Sequence, residues 1–313
     1  MAHRRNSLKT LALGAAAQVL RLVPGSAALK WKRDLRDAAW LRQADAAVIS
    51  FPKSGRTFVR AMLARLFQVK FGIDERGLLD FPSLKRAPRG VPRLLFVHAG
   101  DAMREPGKIG VNAADYAHCK VALLARHPAD VAVSRYHHLK HRSRDRARKK
   151  LAELPLNEFV WTAKGGIPAI VEYLNQWAKI AGTIVRYEDF LTEPEKTLAT
   201  LARAVVLTVN AKNIAGAVEF ASFDRLKQRE IEGYFTSPRL QPTKEGDERS
   251  GKVRKGGSGG YRARLGEVEA KRIDAYISMH LDPVFGYGVP KQRGKSAKPK
   301  KCASRLKAGM TKG

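Results

Sequence analysis

The stretch "AAVISFPKSGRTFVRAMLARLF" constrains this chain more than any other. Ala46 to Ser50 is a short, almost wholly apolar run, and Val59, Met62, Leu63 and Leu66 recur at helical spacing. Between them lies "FPKSGRT", where a strand gives way to a helix through one glycine. Such a junction aims backbone N–H groups and the positive end of a helix dipole at one point, which suits an anion. Lys53 adds a point charge, and Ser54 and Thr57 add hydroxyls. The pattern is P-loop-like without being a Walker A loop, because the lysine precedes the only glycine.

Further apolar runs, Arg93 to Val97, Val121 to Ala125 and Thr183 to Arg186, alternate with helical periods such as "PAIVEYLNQWAKIAG" and "EPEKTLATLARAV". Short continuous apolar strands separated by helices predict an α/β fold in three layers: a central, mostly parallel sheet flanked by helices. Ile170, Val171, Leu174 and Trp177 mark the buried face of one such helix.

The net charge of +30 indicates anionic partners without choosing among nucleic acid, acidic lipid and phosphorylated small molecules. Residues 289–313 contain no acidic residue and read as a disordered, Lys-rich tail. Residues 1–43 read as a basic extension in which Leu8, Leu11, Ala15, Val19 and Leu22 give one amphipathic face, too polar for a membrane span. Such a helix packs on the protein or on an anionic membrane. Two cysteines, Cys119 and Cys302, offer no disulfide or zinc framework, which fits a reducing compartment. His137 and His141 share a helix face, yet no carboxylate or cysteine pattern completes a metal site. The basic run 142–150 reads as a solvated face or the rim of an acceptor cleft.

A second strand-to-helix junction, "VALLARHPADVAVSRYHH", places Arg126 at a strand end and Ser134 on the next helix. Ligands of parallel sheets gather at the carboxyl ends of the strands, so Lys53 and Arg126 can converge on one ligand. A third cluster, "GKVRKGGSGGYRARL", sets Arg254 and Lys255 beside Gly256, Gly257, Gly259 and Gly260, where backbone can approach an anion closely. "RLLFVHAGDAM" puts His98 just beyond an apolar strand, and a histidine can take a proton from an attacking hydroxyl.

In this order the three clusters resemble the sulfotransferases that use 3′-phosphoadenosine 5′-phosphosulfate (PAPS), over about Ala44 to Gly288. "FPKSGRTF" is similar to that family's YPKSGTTW loop, "ARHPADVAVSRYHH" to RNPKDVAVSYYHF, and "VRKGGSGGYR" to RKGxxGDW; "VRYEDFLTEPEKTLATLA" resembles the intervening strand and helix. The resemblance implies a domain at 44–288 that moves a sulfonyl group from PAPS to an acceptor, in most cases a hydroxyl, without a metal. It implies that Lys53, Ser54, Gly55, Arg56 and Thr57 hold the 5′-phosphosulfate, and that Arg126, Ser134, Arg254, Lys255 and Gly256 hold the 3′-phosphate. Phe58 and Phe223 would then stack on the adenine and Tyr187 meet its edge, with Lys53 and His98 catalytic and Asp101 the reserve base. Phe58 stands for the family's Trp, Arg56 for its Thr, and Phe96 for the lysine of its KTH segment. The acceptor is a small molecule, a carbohydrate or a lipid, and the expected location is cytoplasmic, with peripheral contact to an anionic membrane as a further expectation. Two other readings account for parts of the chain. A P-loop kinase or NTPase needs a Walker A signature and a magnesium-binding acidic strand end, both absent from the sequence. A nucleic-acid-binding protein fits the charge but brings no helix-turn-helix, zinc or RNA-recognition signature, so contact beyond non-specific binding is not expected.

Overall fold

The computed structural model describes residues 34–99, 105–143, 146–240 and 257–287, and structural statements below refer to these. The amphipathic stretch 8–22, Asp101, Arg254, Lys255, Gly256 and the tail lie outside them.

Four strands, β1 (Ala46–Ser50), β2 (Leu94–Val97), β3 (Lys120–Ala125) and β4 (Thr183–Arg186), form one sheet in the order β2-β1-β3-β4. Every pairing is parallel, with Val48 beside Phe96, Ile49 beside Leu123 and Leu123 beside Ile184. The strands are apolar on both sides because both faces are covered. Ala47, Ile49, Leu95, Val97 and Leu123 share one core with Ile170, Leu174, Trp177, Ile273 and Ile277. Ala46, Val48, Leu94, Ala122, Leu124 and Val185 share the other with Val59, Met62, Leu63, Leu66, Leu198 and Leu201. The predicted three-layer α/β arrangement is therefore the observed one.

The helices that matter for the site are α1 (Arg56–Phe71), α2 (Pro128–Arg142), α3 (Ile167–Ala178), α4 (Pro194–Ala204), α5 (Ala211–Phe220), α6 (Phe223–Ile231), α7 (Gly260–Leu265) and α8 (Glu267–His280). Proline opens α2, α3 and α4 in their first turns, where its missing N–H costs no hydrogen bond. None of the described helices is long and apolar enough to cross a membrane.

Two strand boundaries differ from the sequence expectation. Arg93 lies before β2 rather than in it, and Lys120 is added to β3. Asp45 is the cause: its carboxylate accepts from the Arg93 amide at 2.8 Å and from the Arg93 guanidinium at 2.8 Å, while its carbonyl accepts from the Lys120 amide at 3.1 Å. The hydrogen bonds from Arg93 hold the Asp45 carboxyl below its usual pKa.

Candidate active site

Chain connections leave β1 toward β2 on one side, while β3 lies on the other, so the sheet has its topological switch point between β1 and β3. The crevice outside the carboxyl ends of those strands is where open α/β sheets bind ligands. An open groove of about 640 Å3 bordered by Asp45, Lys85, Arg89 and Arg93 lies at the opposite, amino ends of the strands and shares none of the residues described below.

The β1–α1 loop, Phe51 to Gly55, turns through two left-handed positions, Lys53 at φ 81 and Gly55 at φ 88. Glycine adopts this conformation freely; lysine holds it against a strain of about 1–3 kcal/mol, the kind of cost found at ligand clamps. Left-handed residues next to right-handed ones bend successive N–H groups toward one centre. Gly55 caps α1 without a side-chain hydrogen bond, so the first-turn amides of Arg56 and Thr57 keep their donors for something else. The Ser54 hydroxyl is buried with no hydrogen-bond partner, as is the Ser50 hydroxyl at the end of β1. Buried polar atoms in native proteins almost always have partners, so such orphans at a strand end mark a polar ligand.

The β3–α2 loop closes the other side. Arg126 donates through Nη1 to the Lys53 carbonyl at 3.1 Å and through Nη2 to the Gly257 carbonyl at 3.2 Å, and its Nε is buried without a partner. Its guanidinium lies 4.4 Å from the centre of the Tyr187 ring. Tyr187 follows β4, donates its amide to Ala125 at 2.8 Å, and covers Gly55 so closely that a Cβ there would sit 2.3 Å from a ring carbon. Burial raises the Tyr187 pKa, keeping its hydroxyl protonated. Phe58 meets Tyr187 edge to face at 6.1 Å and Phe190 at 6.3 Å.

His98, one residue past β2, has Nδ1 2.5 Å from the Ser50 carbonyl. A carbonyl only accepts, so Nδ1 carries a proton, and the lone pair of the neutral ring then belongs to Nε2. That tautomer can act as a base at Nε2. Thr57 lies half-buried in the first turn of α1 and Ser134 half-buried on α2. Phe223 begins α6, and among the described residues no ring contact joins it to Phe58 or Tyr187. The Arg264 guanidinium of α7 donates to Nε2 of His137 on α2 at 2.7 Å, so that lone pair is engaged, and no cluster of metal ligands occurs among the described residues.

Three residues the sequence reading passed over build the frame of the site. Asp130, 5% exposed in the first turn of α2, accepts from the amides of Gly259 at 2.7 Å and Tyr261 at 3.2 Å, fixing the chain beside Arg126. Glu188 accepts from the His127 amide at 3.0 Å and from the Tyr287 hydroxyl at 2.5 Å. His127 stacks on Tyr261 at 4.9 Å, with Nδ1 buried and unpartnered. The one advance signal was the acid in the first helical turn of "HPAD", favourable to a helix N-terminus.

Burial pushes the His127 pKa below its ordinary 6.5, against the opposing pull of Asp130, Glu188 and Asp274. The folded protein therefore holds this ring neutral. Its contribution is fully present above the unfolded value and is lost as pH falls from there toward the folded one. Urea unfolding at about pH 8 and about pH 5 should show a larger loss of stability on acidification in wild type than in His127→Gln. Equal losses would refute it.

A family model described as "Sulfotransferase domain" matches residues 112–285, a stretch that begins after the β1–α1 loop and His98. No curated protein matches the sequence. Among solved structures, mouse sulfotransferase SULT7A1 complexed with PAP is similar at 18% identity and TM-score 0.53, covering 76% of this chain and 84% of that one. A retinol dehydratase in complex with retinol and PAP is similar at 17% identity and TM-score 0.50, covering 79% and 85%. At these identities the likeness is one of fold.

Proposed function

Because the chain belongs to the sulfotransferase domain family, we propose that it transfers a sulfonyl group from PAPS to the hydroxyl of an acceptor, with His98 as the general base. The observation that carries this reading is the meeting of the two phosphate-type loops at the switch point, where Arg126 bonds the Lys53 carbonyl at 3.1 Å. Both structural neighbours named above were crystallised with PAP, the desulfonated form of the donor, and one of them with retinol, a small hydroxyl-bearing molecule.

The residues present fit that nucleotide. Two orphaned buried atoms, Ser54 Oγ and Arg126 Nε, would each gain a partner from an oxyanion, and Gly55 lets the Tyr187 ring close directly over the loop. Lys53, Ser54 and the first-turn amides of α1 would hold the 5′-phosphosulfate. Arg126 and Ser134 would hold the 3′-phosphate, with Arg254, Lys255 and Gly256 as further candidates. Phe58, Tyr187 and Phe223 would flank the adenine. PAPS supplies the sulfonyl group and leaves as adenosine 3′,5′-bisphosphate.

His98 Nε2 takes the proton of the acceptor hydroxyl while Nδ1 stays on the Ser50 carbonyl, which fixes the ring plane and supports the imidazolium as it forms. Lys53 stabilises negative charge on the leaving phosphate from a loop already bent into position, so little reorganisation is needed during the reaction. Positioning and charge stabilisation carry most of such a displacement, as in phosphoryl transfer. The acceptor is a small molecule, a carbohydrate or a lipid.

Adenosine 3′,5′-bisphosphate should raise the melting temperature of the purified protein and bind it far more tightly than 5′-AMP. Arg126→Met should weaken that binding about tenfold or more, the scale of one or two charge-assisted hydrogen bonds. No shift with the bisphosphate in wild type would end the proposal.

A further inference from the structure

Helix α1 starts at the carboxyl end of β1 and runs back along the sheet, with Arg56 and Arg60 one turn apart on it. Arg60 is fully engaged: it donates to the carbonyls of Leu78 at 2.7 Å and Leu79 at 2.8 Å, and its guanidinium lies 4.4 Å from the centre of the Phe96 ring on β2. One helical turn toward the start of α1 spans about 5.4 Å. Two residues along β2 span about 6.6 Å and lead from Phe96 to His98. The start of α1, which carries Arg56, and His98 just past β2 thus both lie at the carboxyl end of the parallel sheet.

Arg56 is not satisfied as Arg60 is. Its Nη1 is buried with no hydrogen-bond partner. Burial and the nearby charge of Arg239 push its pKa down to about 10, only partly opposed by Tyr173 and Asp37. Tyr173, on α3, stands edge-on to Phe51 of the β1–α1 loop at 5.3 Å, is fully buried, and has a hydroxyl with no partner. Burial and Tyr116 hold that hydroxyl protonated, so it too is a donor. Two arginines outside the site, by contrast, have carboxylate acceptors: Arg93 has Asp45 and Arg186 has Asp189. A half-buried cation with one buried, unpartnered nitrogen, near an unpartnered hydroxyl donor and a second cation, is costly unless an anion completes it.

The geometry points to Arg56, aided by Tyr173, as a receptor for an anionic group on the acceptor, a carboxylate or similar oxyanion carried on the same molecule as the hydroxyl that is sulfonated. The inference rests on the sulfotransferase reading above. It separates the loop's two roles: the backbone amides of 56 and 57 face the donor, while the Arg56 side chain selects the acceptor.

The test uses protein saturated with adenosine 3′,5′-bisphosphate and two probes, 4-hydroxybenzoate and its neutral methyl ester, with affinities read by calorimetry. Wild type should bind the carboxylate at least about tenfold tighter than the ester, and Arg56→Met should lose that preference. Arg203→Met, which removes an exposed arginine bonded only to Thr200, should keep it and so controls for the loss of one charge. Tyr173→Phe should reduce it in part. Bisphosphate affinity should stay within about twofold in all variants. No preference in wild type, or its survival in Arg56→Met, overturns the inference. So does a tenfold loss of bisphosphate affinity in Arg56→Met, which would assign the guanidinium to the donor. Should Arg56→Met not fold, Arg56→Gln gives the same readings. Failure of wild type to bind the bisphosphate at all would instead remove the underlying function.

Discussion

His98→Asn should lower kcat by about 10²–10⁴-fold while leaving the affinity for adenosine 3′,5′-bisphosphate nearly unchanged. Asparagine can still offer an N–H toward the Ser50 carbonyl, the bond that His98 Nδ1 makes at 2.5 Å, so the end of β1 keeps its partner. What it lacks is the basic lone pair that Nε2 presents. The loss should therefore fall on kcat rather than on donor binding, which separates a base from a residue that merely caps a strand. In wild type the acidic limb of the pH–rate profile reports protonation of the base, and that limb should vanish in the variant. Activity retained in His98→Asn and lost in Asp101→Asn would move the role to the reserve carboxylate.

Much of the frame was legible because apolar periodicity reports burial directly. "AAVIS" and "VALLA" have no polar face, which only a sheet covered on both sides accommodates, and Ile170, Leu174 and Trp177 all turn out fully or almost fully buried at helical spacing. The two strand edges that moved did so through a contact between positions far apart in the chain, Asp45 with Arg93 and Lys120. Spacing within one strand carries no trace of that. The loops gave away the chemistry of Lys53 and Arg126 through residue type and position after a strand. They did not give away how these are held. Lysine is not a residue whose left-handed φ can be expected, and Asp130 and Glu188 bond partners more than fifty residues distant, Gly259 and Tyr287. Arg56 looked like one more member of the anion loop, and its buried, unpartnered Nη1 becomes visible only in the structure.

Gly55→Ala tests the loop itself and should damage both stability and nucleotide binding. At φ 88 an alanine pays the left-handed penalty of about 1–2 kcal/mol, and its Cβ would stand 2.3 and 2.6 Å from two Tyr187 ring carbons, an overlap that costs about 1–3 kcal/mol to relieve. The ring cannot simply swing aside. Its residue is tied to Ala125 by the backbone, the Arg126 guanidinium covers it at 4.4 Å, and Phe58 meets it at 6.1 Å. Relief must therefore displace Arg126 or the loop, the two parts that grip the nucleotide in the proposed reaction. The expected result is a loss of about 3 kcal/mol in unfolding free energy, together with at least about tenfold weaker binding of adenosine 3′,5′-bisphosphate. Tyr187→Ala in the same chain removes the overlap and leaves the backbone penalty. The double variant should then be less destabilised than the sum of the two single ones, by roughly the packing share of about 1–3 kcal/mol. Chemical denaturation and calorimetry on the four proteins read both quantities. Strict additivity, or a Gly55→Ala protein as stable and as tight-binding as wild type, would show that the ring does not press on the loop and that its closeness to Gly55 has no part in shaping the anion site.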